Sequence, residues 1–174
     1  AGAGAAGGSL VASAAAFNST TGVNITGGTT IVVGANNTIT STGAFTAAST
    51  ITGSTGTDTL VISDGNAVDM STNGAVVTSI DAITLNTAHA GFVPFTQAVA
   101  ITGSTGVDNV TINTTGQSYN AVSGADVVTI TGAPTGVTLT NLTGTVKLAA
   151  TGSIAGVNSG AVTGAATLDL TTVA

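Results

Sequence analysis

The stretch Ile51-Thr-Gly-Ser-Thr-Gly-Thr-Asp-Thr-Leu60 recurs fifty positions later as Ile101-Thr-Gly-Ser-Thr-Gly-Val-Asp-Asn-Val110. The glycines and the aspartate stand at the same places in both copies. Self-similarity at a fixed period indicates stacked supersecondary units, because one such unit cannot bury its apolar face alone. The sequence therefore predicts a repeat protein.

The composition favours strands and turns over helices. Threonine is the commonest residue, and valine, isoleucine, alanine and glycine make up most of the rest. β-Branched side chains fit a pleated surface, and glycine suits tight turns. With four Phe, one Tyr and no Trp, the core must consist of small aliphatic side chains in thin layers. We expect an all-β fold with many short strands, either a β-solenoid or a thin β-sandwich.

Short apolar alternations, punctuated by Gly, Asn and Asp, mark the predicted strands. These are Val23–Ile25, Thr30–Val33, Thr38–Thr40, Thr59–Ile62, Ala75–Val77, Ala82–Leu85, Val99–Ile101, Val110–Ile112, Val127–Ile130, Val137–Leu139, Val146–Leu148 and Thr167–Leu170. No helical stretch of useful length separates them in the sequence, which disfavours a doubly wound fold.

The length of 174 residues suits one domain. We expect residues 1–16 to be a flexible or donor-like N-terminal segment, with a first strand or short helix beginning at Ser9. Residues 17–174 are predicted to form a single all-β repeat domain, with repeat units near 51–100 and 101–150. The mean hydropathy is +0.56, but the N-terminal stretch is mostly Ala and Gly, so we expect no membrane insertion.

Charged side chains are scarce. The chain has one Lys, one His, seven acidic residues that are all Asp, and no Cys, which gives a net charge of -6. An acidic chain without clustered Lys or Arg is not expected to bind nucleic acid or anionic membranes. Almost nothing remains for acid–base, thiol or phosphate chemistry, so we do not expect an enzyme. His89 is expected to be a loop or interface residue, and Lys147 to point to solvent.

The repeated motif resembles a known calcium-binding repeat. Gly53-Ser-Thr-Gly56-Thr-Asp58-Thr-Leu60 and its second copy from Gly103 to Val110 resemble the haemolysin-type (RTX) nonapeptide Gly-Gly-x-Gly-x-Asp-x-apolar-x, with Ser at the second glycine position. A third, fainter copy runs from Ser123 through Asp126 to Val128. The residues that follow the first copy are similar to segments of bacterial surface-layer proteins and large secreted adhesins.

The resemblance implies calcium loops in which the motif glycines turn carbonyls toward the cation and the aspartates supply carboxylate oxygens. The candidate ligands are Gly53, Gly56, Asp58, Gly103, Gly106, Asp108 and Asp126. In the resembled family such sites form between consecutive nonapeptides stacked in tandem, whereas each copy here stands alone in a unit of about fifty residues. The alternative is that Asp58 and Asp108 cap turns by accepting backbone N–H bonds.

The resemblance and the composition together predict an extracellular structural protein of the cell surface. We expect it to assemble with copies of itself into a layer or filament, aided by calcium, because small uncharged side chains and exposed strand edges favour self-association. Two alternatives stay open. One is an adhesin-type module that binds a host surface or a cell-surface glycan. The other is a filament subunit whose segment near Ser9–Phe17 completes the sheet of the next subunit.

Overall fold

The computed structural model describes residues 9–12, 30–33, 38–41, 50–52, 57–62, 65, 67–71, 76–149 and 167–169, and within these ranges it contains strands and turns but no helix. In chain order the strands are β1 Ser9–Ala12, β2 Thr30–Val33, β3 Thr38–Ser41, β4 Thr50–Thr52, β5 Thr59–Ile62, β6 Val68–Asp69, β7 Val76–Thr78, β8 Ala82–Leu85, β9 Phe92–Val93, β10 Ala100–Thr102, β11 Asn109–Ile112, β12 Ser118–Asn120, β13 Val127–Ile130, β14 Thr138–Thr140, β15 Thr145–Leu148 and β16 Thr167–Asp169.

The strands form three parallel sheets. Sheet A has the order β1-β2-β4-β7, sheet B the order β14-β12-β10-β8-β5-β3, and sheet C the order β16-β15-β13-β11-β9-β6. Neighbours in each sheet come from successive coils of the chain, as the parallel registers of all the described pairs show. This arrangement is a β-solenoid, which confirms the solenoid prediction and not the sandwich alternative.

The coil narrows along the chain. Strands β4, β5 and β6 visit sheets A, B and C in turn, and β7, β8 and β9 repeat that order. In this wide part Asp58 and Asp81, which precede neighbouring strands of sheet B, are 23 residues apart in the sequence. From β10 to β15 the strands alternate between sheets B and C, and Asp108 and Asp126, which precede neighbouring strands of sheet C, are only 18 residues apart. Among the described strands β7 is therefore the last in sheet A, and the coils from β10 to β15 have two strands each.

Side chains alternate between the core and the surface along each strand, as the period of two requires. Strands β5, β8 and β13 all alternate partly exposed and buried residues. In sheet B one column of register partners crosses five coils, and each member is at most 1% exposed: Leu60, Ile83, Ile101, Tyr119 and Leu139. Burying an aliphatic side chain of this size contributes about 1.5–3 kcal/mol, so stacked columns of this kind hold successive coils together.

The predicted strands are confirmed to within one residue at each end wherever the structure describes them. Val23–Ile25 lies outside the described residues, and the N-terminal element that begins at Ser9 is a strand, β1. Sequence analysis missed β4, β6, β9 and β12. Two of these have only two residues, and β12 presents one large apolar side chain, Tyr119, between two polar ones. Such segments carry too little alternation to be detected.

The two copies of the decapeptide occupy different places in the solenoid. The first copy spans the connection from β4 in sheet A to β5 in sheet B. The second spans the connection from β10 in sheet B to β11 in sheet C. The aspartate before the strand thus serves a turn in both cases, but not the same turn. The structural period of this part of the chain is the two-strand coil rather than the fifty-residue spacing of the copies.

Candidate functional site

The connections from sheet B to sheet C carry two of the candidate aspartates. We call residues 86–91, 103–108 and 121–126 the aspartate turns. Asp108 is the last residue before β11, and Asp126 the last before β13. Because β11 and β13 are register neighbours, the two aspartates are stacked one coil apart, and both are fully buried.

Asp108 is surrounded by hydrogen-bond donors. Its Oδ1 accepts from the backbone N–H of His89 at 2.9 Å and from the hydroxyl of Ser104 at 3.1 Å. Its Oδ2 accepts from the backbone N–H of Ser104 at 2.7 Å. The carboxylate therefore caps its own turn through Ser104 and ties that turn to the preceding coil through His89. A carboxylate that accepts several such bonds is well compensated for the loss of water.

Asp126 repeats this arrangement one coil later. Its Oδ1 accepts from the backbone N–H of Asp108 at 2.9 Å, just as Asp108 accepts from His89 in the coil before. Its Oδ2 accepts from the hydroxyl of Tyr119 at 2.7 Å. The same hydroxyl lies 3.4 Å from Oδ2 of Asp108. One phenol thus stands between the carboxylates of two successive coils.

The position of Tyr119 follows from the core and from a motif glycine. Tyr119 occupies the inward column of sheet B that Ile101 and Leu139 occupy in the neighbouring coils. Its longer side chain carries the hydroxyl beyond the column into the aspartate turn. A Cβ atom on Gly103 would overlap that hydroxyl. The backbone of Gly103 does not adopt a positive φ. Glycine is therefore needed at this position for the close approach of Tyr119 and not for a left-handed backbone conformation.

Burial shifts the pKa values of two of these residues, Tyr119 and Asp126. It raises the pKa of the Tyr119 phenol, and the hydrogen bond to Asp126 raises it further, so the phenol stays protonated and acts as a donor. Burial also raises the pKa of the Asp126 carboxyl, and the charge of Asp108 adds to the rise. The N–H of Asp108 and the hydroxyl of Tyr119 act in the opposite direction, because they stabilise the ionised carboxylate.

His89, Ser104 and Asp108 are the residue types of a hydrolase triad, but they are not arranged as one. The Ser104 hydroxyl donates to Asp108 rather than to the imidazole. Nδ1 of His89 lies 2.6 Å from the carbonyl oxygen of Thr87 and must carry the proton there. Nε2 has no hydrogen-bond partner among the described residues, and His89 is only 1% exposed. The prediction that the chain is not an enzyme stays a prediction, and this geometry offers no activated nucleophile.

The remaining candidate ligands lie elsewhere. Gly53 and Gly56 fall outside the described residues. Asp58 is fully buried before β5, and its backbone N–H donates to Oδ2 of Asp81 at 2.9 Å. The structure therefore pairs Asp58 with Asp81, and stacks Asp108 with Asp126 at another turn. A Cβ atom on Gly106 would lie 2.6 Å from the Cβ of Ala88 in the preceding aspartate turn. Glycine at position 106 therefore also allows close packing of successive coils.

The donors around Asp108 and Asp126 bear on the predicted calcium loop. Each of the four carboxylate oxygens accepts a hydrogen bond from a protein N–H or O–H group. Calcium binds to about six to eight oxygen atoms, and at these carboxylates it would compete with the hydrogen-bond donors for oxygen lone pairs. Across the described residues, no three His, Cys, Asp or Glu side chains gather into a group that could hold a metal ion. The hydrogen bonds at Asp108 and Asp126 thus match the turn-capping alternative, and calcium at these two aspartates stays a prediction.

The connections from sheet C back to sheet B use a different side chain. We call residues 94–99, 113–117 and 131–137 the glutamine turns. Gln117 is fully buried, and its Oε1 accepts from the backbone N–H groups of Asn113 at 3.0 Å and of the next residue at 3.2 Å. The carboxamide is thereby fixed within its own turn.

The glutamines also bind the preceding coils through carbonyl groups. Nε2 of Gln117 donates to the backbone carbonyls of Phe95 at 3.0 Å and of Gln97 at 3.1 Å. Gln97 in turn donates from Nε2 to the carbonyl of Val77 in β7, the last strand of sheet A. The side-chain amides of Gln97 and Gln117 therefore link successive coils by hydrogen bonds at the place where β7 has no further neighbouring strand in sheet A.

Sequence analysis did not identify Tyr119, Ser104 or Gln117 as members of any site. A usable signal was the spacing of 18 residues between Asp108 and Asp126. That spacing equals two nonapeptides and places both aspartates at one turn of a two-strand coil. Tyr119 and Gln117 gave no comparable signal, because a single tyrosine or glutamine in a strand-rich segment has many structural roles.

Comparisons with protein-family models, with curated proteins and with solved structures found no match to this chain. The class of protein that the fold defines is a parallel β-solenoid. In the part of the chain that the structure describes, no helix is long and apolar enough to cross a membrane.

Proposed function

We propose that this chain is an extracellular structural protein that assembles with copies of itself into a cell-surface layer or filament. The observation that carries the proposal is the outward face of sheet B, which we call the neutral face. Ten side chains point outward from five successive strands of this sheet. They are small or of moderate size, and none is charged. They are Thr59, Val61, Ala82, Thr84, Ala100, Thr102, Ser118, Asn120, Thr138 and Thr140.

The neutral face supports self-association because few forces oppose burying it. A net charge of -6 makes copies of the chain repel one another. Two copies that meet through the neutral face bring no like charges together and desolvate no ion. Threonine, alanine and serine also lose little rotamer freedom when they are buried. Sheet C differs, since Lys147 and Asp169 are register partners at the end of its own outward column.

A pair of matched lysine substitutions tests this proposal. Thr102→Lys places a charge at the middle of the neutral face, and Thr111→Lys places the same charge on sheet C in the same coil. Both positions are partly exposed in a strand, so both variants should fold. Assembly is measured by sedimentation and by negative-stain microscopy of the purified chain, in calcium and in excess chelator.

We expect ordered sheets or fibres from the unmodified chain in both solutions, assembly lost in Thr102→Lys, and assembly retained in Thr111→Lys. If Thr102→Lys assembles as the unmodified chain does, the neutral face is not the contact. Dispersed monomers of the unmodified chain would contradict self-assembly and favour the adhesin-type module, with a cell-surface glycan as its ligand. Assembly only in calcium would restore calcium as an aid, with the loop before Asp58 as its place.

The donor-strand alternative concerns the N-terminal segment. It predicts that the residues near Ser9–Phe17 complete the sheet of another subunit. In the structure Ser9–Ala12 pairs in parallel with Thr30–Val33 of its own chain. Deleting residues 1–16 distinguishes the two forms of assembly, because contact through the neutral face survives the deletion and strand donation does not.

A further inference from the structure

Tyr119 occupies an unusual place for a hydroxyl group. Two buried carboxylates of successive coils, Asp108 and Asp126, both turn an Oδ2 atom toward it, at 3.4 Å and 2.7 Å. No Lys or Arg takes part, since Lys147 is the only such residue of the chain and is exposed on sheet C. The nearest imidazole nitrogen, Nδ1 of His89, lies 4.0 Å from Oδ1 of Asp108 and is directed to the carbonyl of Thr87. Stacked acidic groups in a dry interior repel each other unless something between them compensates the charge.

We propose that the phenolic proton of Tyr119, rather than a metal ion, links the stacked carboxylates of Asp108 and Asp126, so that the aspartate turns hold together without calcium. This inference concerns the folding of the coils and does not rest on the proposed assembly. It replaces, at these two aspartates, the calcium loop that the sequence motif predicted.

Three features of the structure support it. The hydroxyl is fixed by the core, because its ring belongs to the buried inward column of sheet B. Space for it comes from Gly103, whose missing Cβ leaves room where the hydroxyl lies. The Oδ1 atoms of Asp108 and Asp126 accept from the N–H groups of His89 and Asp108, and Oδ2 of Asp108 also accepts from the N–H of Ser104. A cation between the two Oδ2 atoms would therefore have to take the place of the phenolic hydroxyl.

The fluorescence of the chain reports directly on this group, because Tyr119 is the only tyrosine and there is no tryptophan. Tyrosine emission of the purified chain is recorded in excess chelator and then during a titration with calcium chloride. We expect an unchanged spectrum, since the hydroxyl keeps its hydrogen bond to Asp126 throughout. A saturable change in tyrosine emission on adding calcium would overturn the inference, whatever calcium does elsewhere in the chain.

Tyr119→Phe provides the second test, with Leu139→Val as its matched control on the neighbouring strand. Each variant removes a small group from the same column, and we expect each to lower the midpoint of thermal unfolding by about 3 °C in chelator. Calcium should restore the midpoint of Tyr119→Phe, where two unlinked carboxylates remain, and leave Leu139→Val unchanged.

If the midpoint of thermal unfolding of Tyr119→Phe falls equally with and without calcium, the hydroxyl does not occupy a position that a cation could take, and the inference is contradicted. If Tyr119→Phe does not fold in chelator but folds in calcium, the inference is supported in its strongest form. If it folds in neither solution, the tyrosine emission of the unmodified chain decides the question alone.

Discussion

The aspartate turns and the glutamine turns close the same coils at opposite corners, and they do so with different chemistry. At the aspartate turns the groups that need partners are N–H donors, those of His89, Ser104 and Asp108. A carboxylate only accepts, so it matches them. At the glutamine turns both N–H and C=O groups need partners, and the amide of Gln117 provides an acceptor and donors together.

The difference arises where the coil narrows. Among the described strands β7 is the last in sheet A, and residues 94–99, which follow in the next coil, form no further strand of that sheet. Carbonyls that would have met a neighbouring strand, such as that of Val77, accept from a side-chain amide instead. The comparison shows that a solenoid can change its number of sheets where polar side chains replace the missing strand. It also places buried ionisable groups at one corner and neutral amides at the other.

The largest effect that tests this comparison is expected at Asp108. Asp108→Ala leaves the buried N–H groups of His89 and Ser104 without their acceptor, and each such group costs about 1–3 kcal/mol. We expect the free energy of unfolding to fall by about 4 kcal/mol. Denaturation in urea, followed by circular dichroism, measures the loss.

Asp81→Ala is the control for that prediction. Asp81 also accepts a backbone N–H from the preceding coil, that of Asp58, but its own side chain is exposed. Water can replace a partner there, so we expect a loss of about 1 kcal/mol. Equal losses in Asp108→Ala and Asp81→Ala would show that burial of the aspartate turn contributes nothing to the strength of these bonds.

Exchange of an amide for a carboxylate at Gln117 should produce the next largest effect. Gln117→Glu keeps the acceptor for Asn113 but loses both donated bonds and places a negative charge beside the carbonyls of Phe95 and Gln97. We expect unfolding at neutral pH to become easier by about 2 kcal/mol, and the loss to shrink in acid as the glutamate regains a proton. Urea denaturation at two pH values measures both.

Gln97→Glu is the matched variant at the same corner. Gln97 is only half-buried and caps the single carbonyl of Val77, so its exchange should cost less than that of Gln117. A loss at Gln97 as large as that at Gln117, or a loss at Gln117 that acid does not relieve, would mean that the donated bonds do not explain why an amide stands in the glutamine turn.

How much of this could be predicted from the sequence differs between the two corners. Strands such as Thr59–Ile62 and Val127–Ile130 were predictable, because each is a short run rich in β-branched residues that follows an aspartate turn residue. Asp108 was predictable as a turn residue from its place after Gly106. What could not be predicted is which aspartate meets which, since that depends on the coil length, and the fifty-residue copies do not report the coil length.

No pattern in the sequence predicts the glutamine turns. Gln97 and Gln117 stand 20 residues apart without a shared motif, and their roles arise only because sheet A ends below them. Where a sheet ends depends on the tertiary structure, and no local pattern of residues predicts it. In the same way, Gly103 was predicted as a glycine of a calcium loop, whereas the close approach that requires glycine there comes from Tyr119, which lies in the next coil.

The smallest expected effect is a dependence of stability on pH that belongs to the aspartate turns alone. Burial raises the pKa of Asp126 above its usual 3.8, with the charge of Asp108 adding to the rise. The folded chain therefore holds this proton more tightly than the unfolded chain, so the contribution of Asp126 to stability is greatest in acid and declines as pH rises from 3.8 through the raised pKa.

Asp126→Asn should remove that part of the dependence of stability on pH, because an amide oxygen still accepts the N–H of Asp108 but does not titrate. Urea midpoints at several pH values for both chains measure the difference in slope. An unchanged slope in Asp126→Asn would mean that the hydrogen bonds from Asp108 and Tyr119 fully offset the burial of the carboxylate, and that the two corners differ in geometry but not in their response to pH.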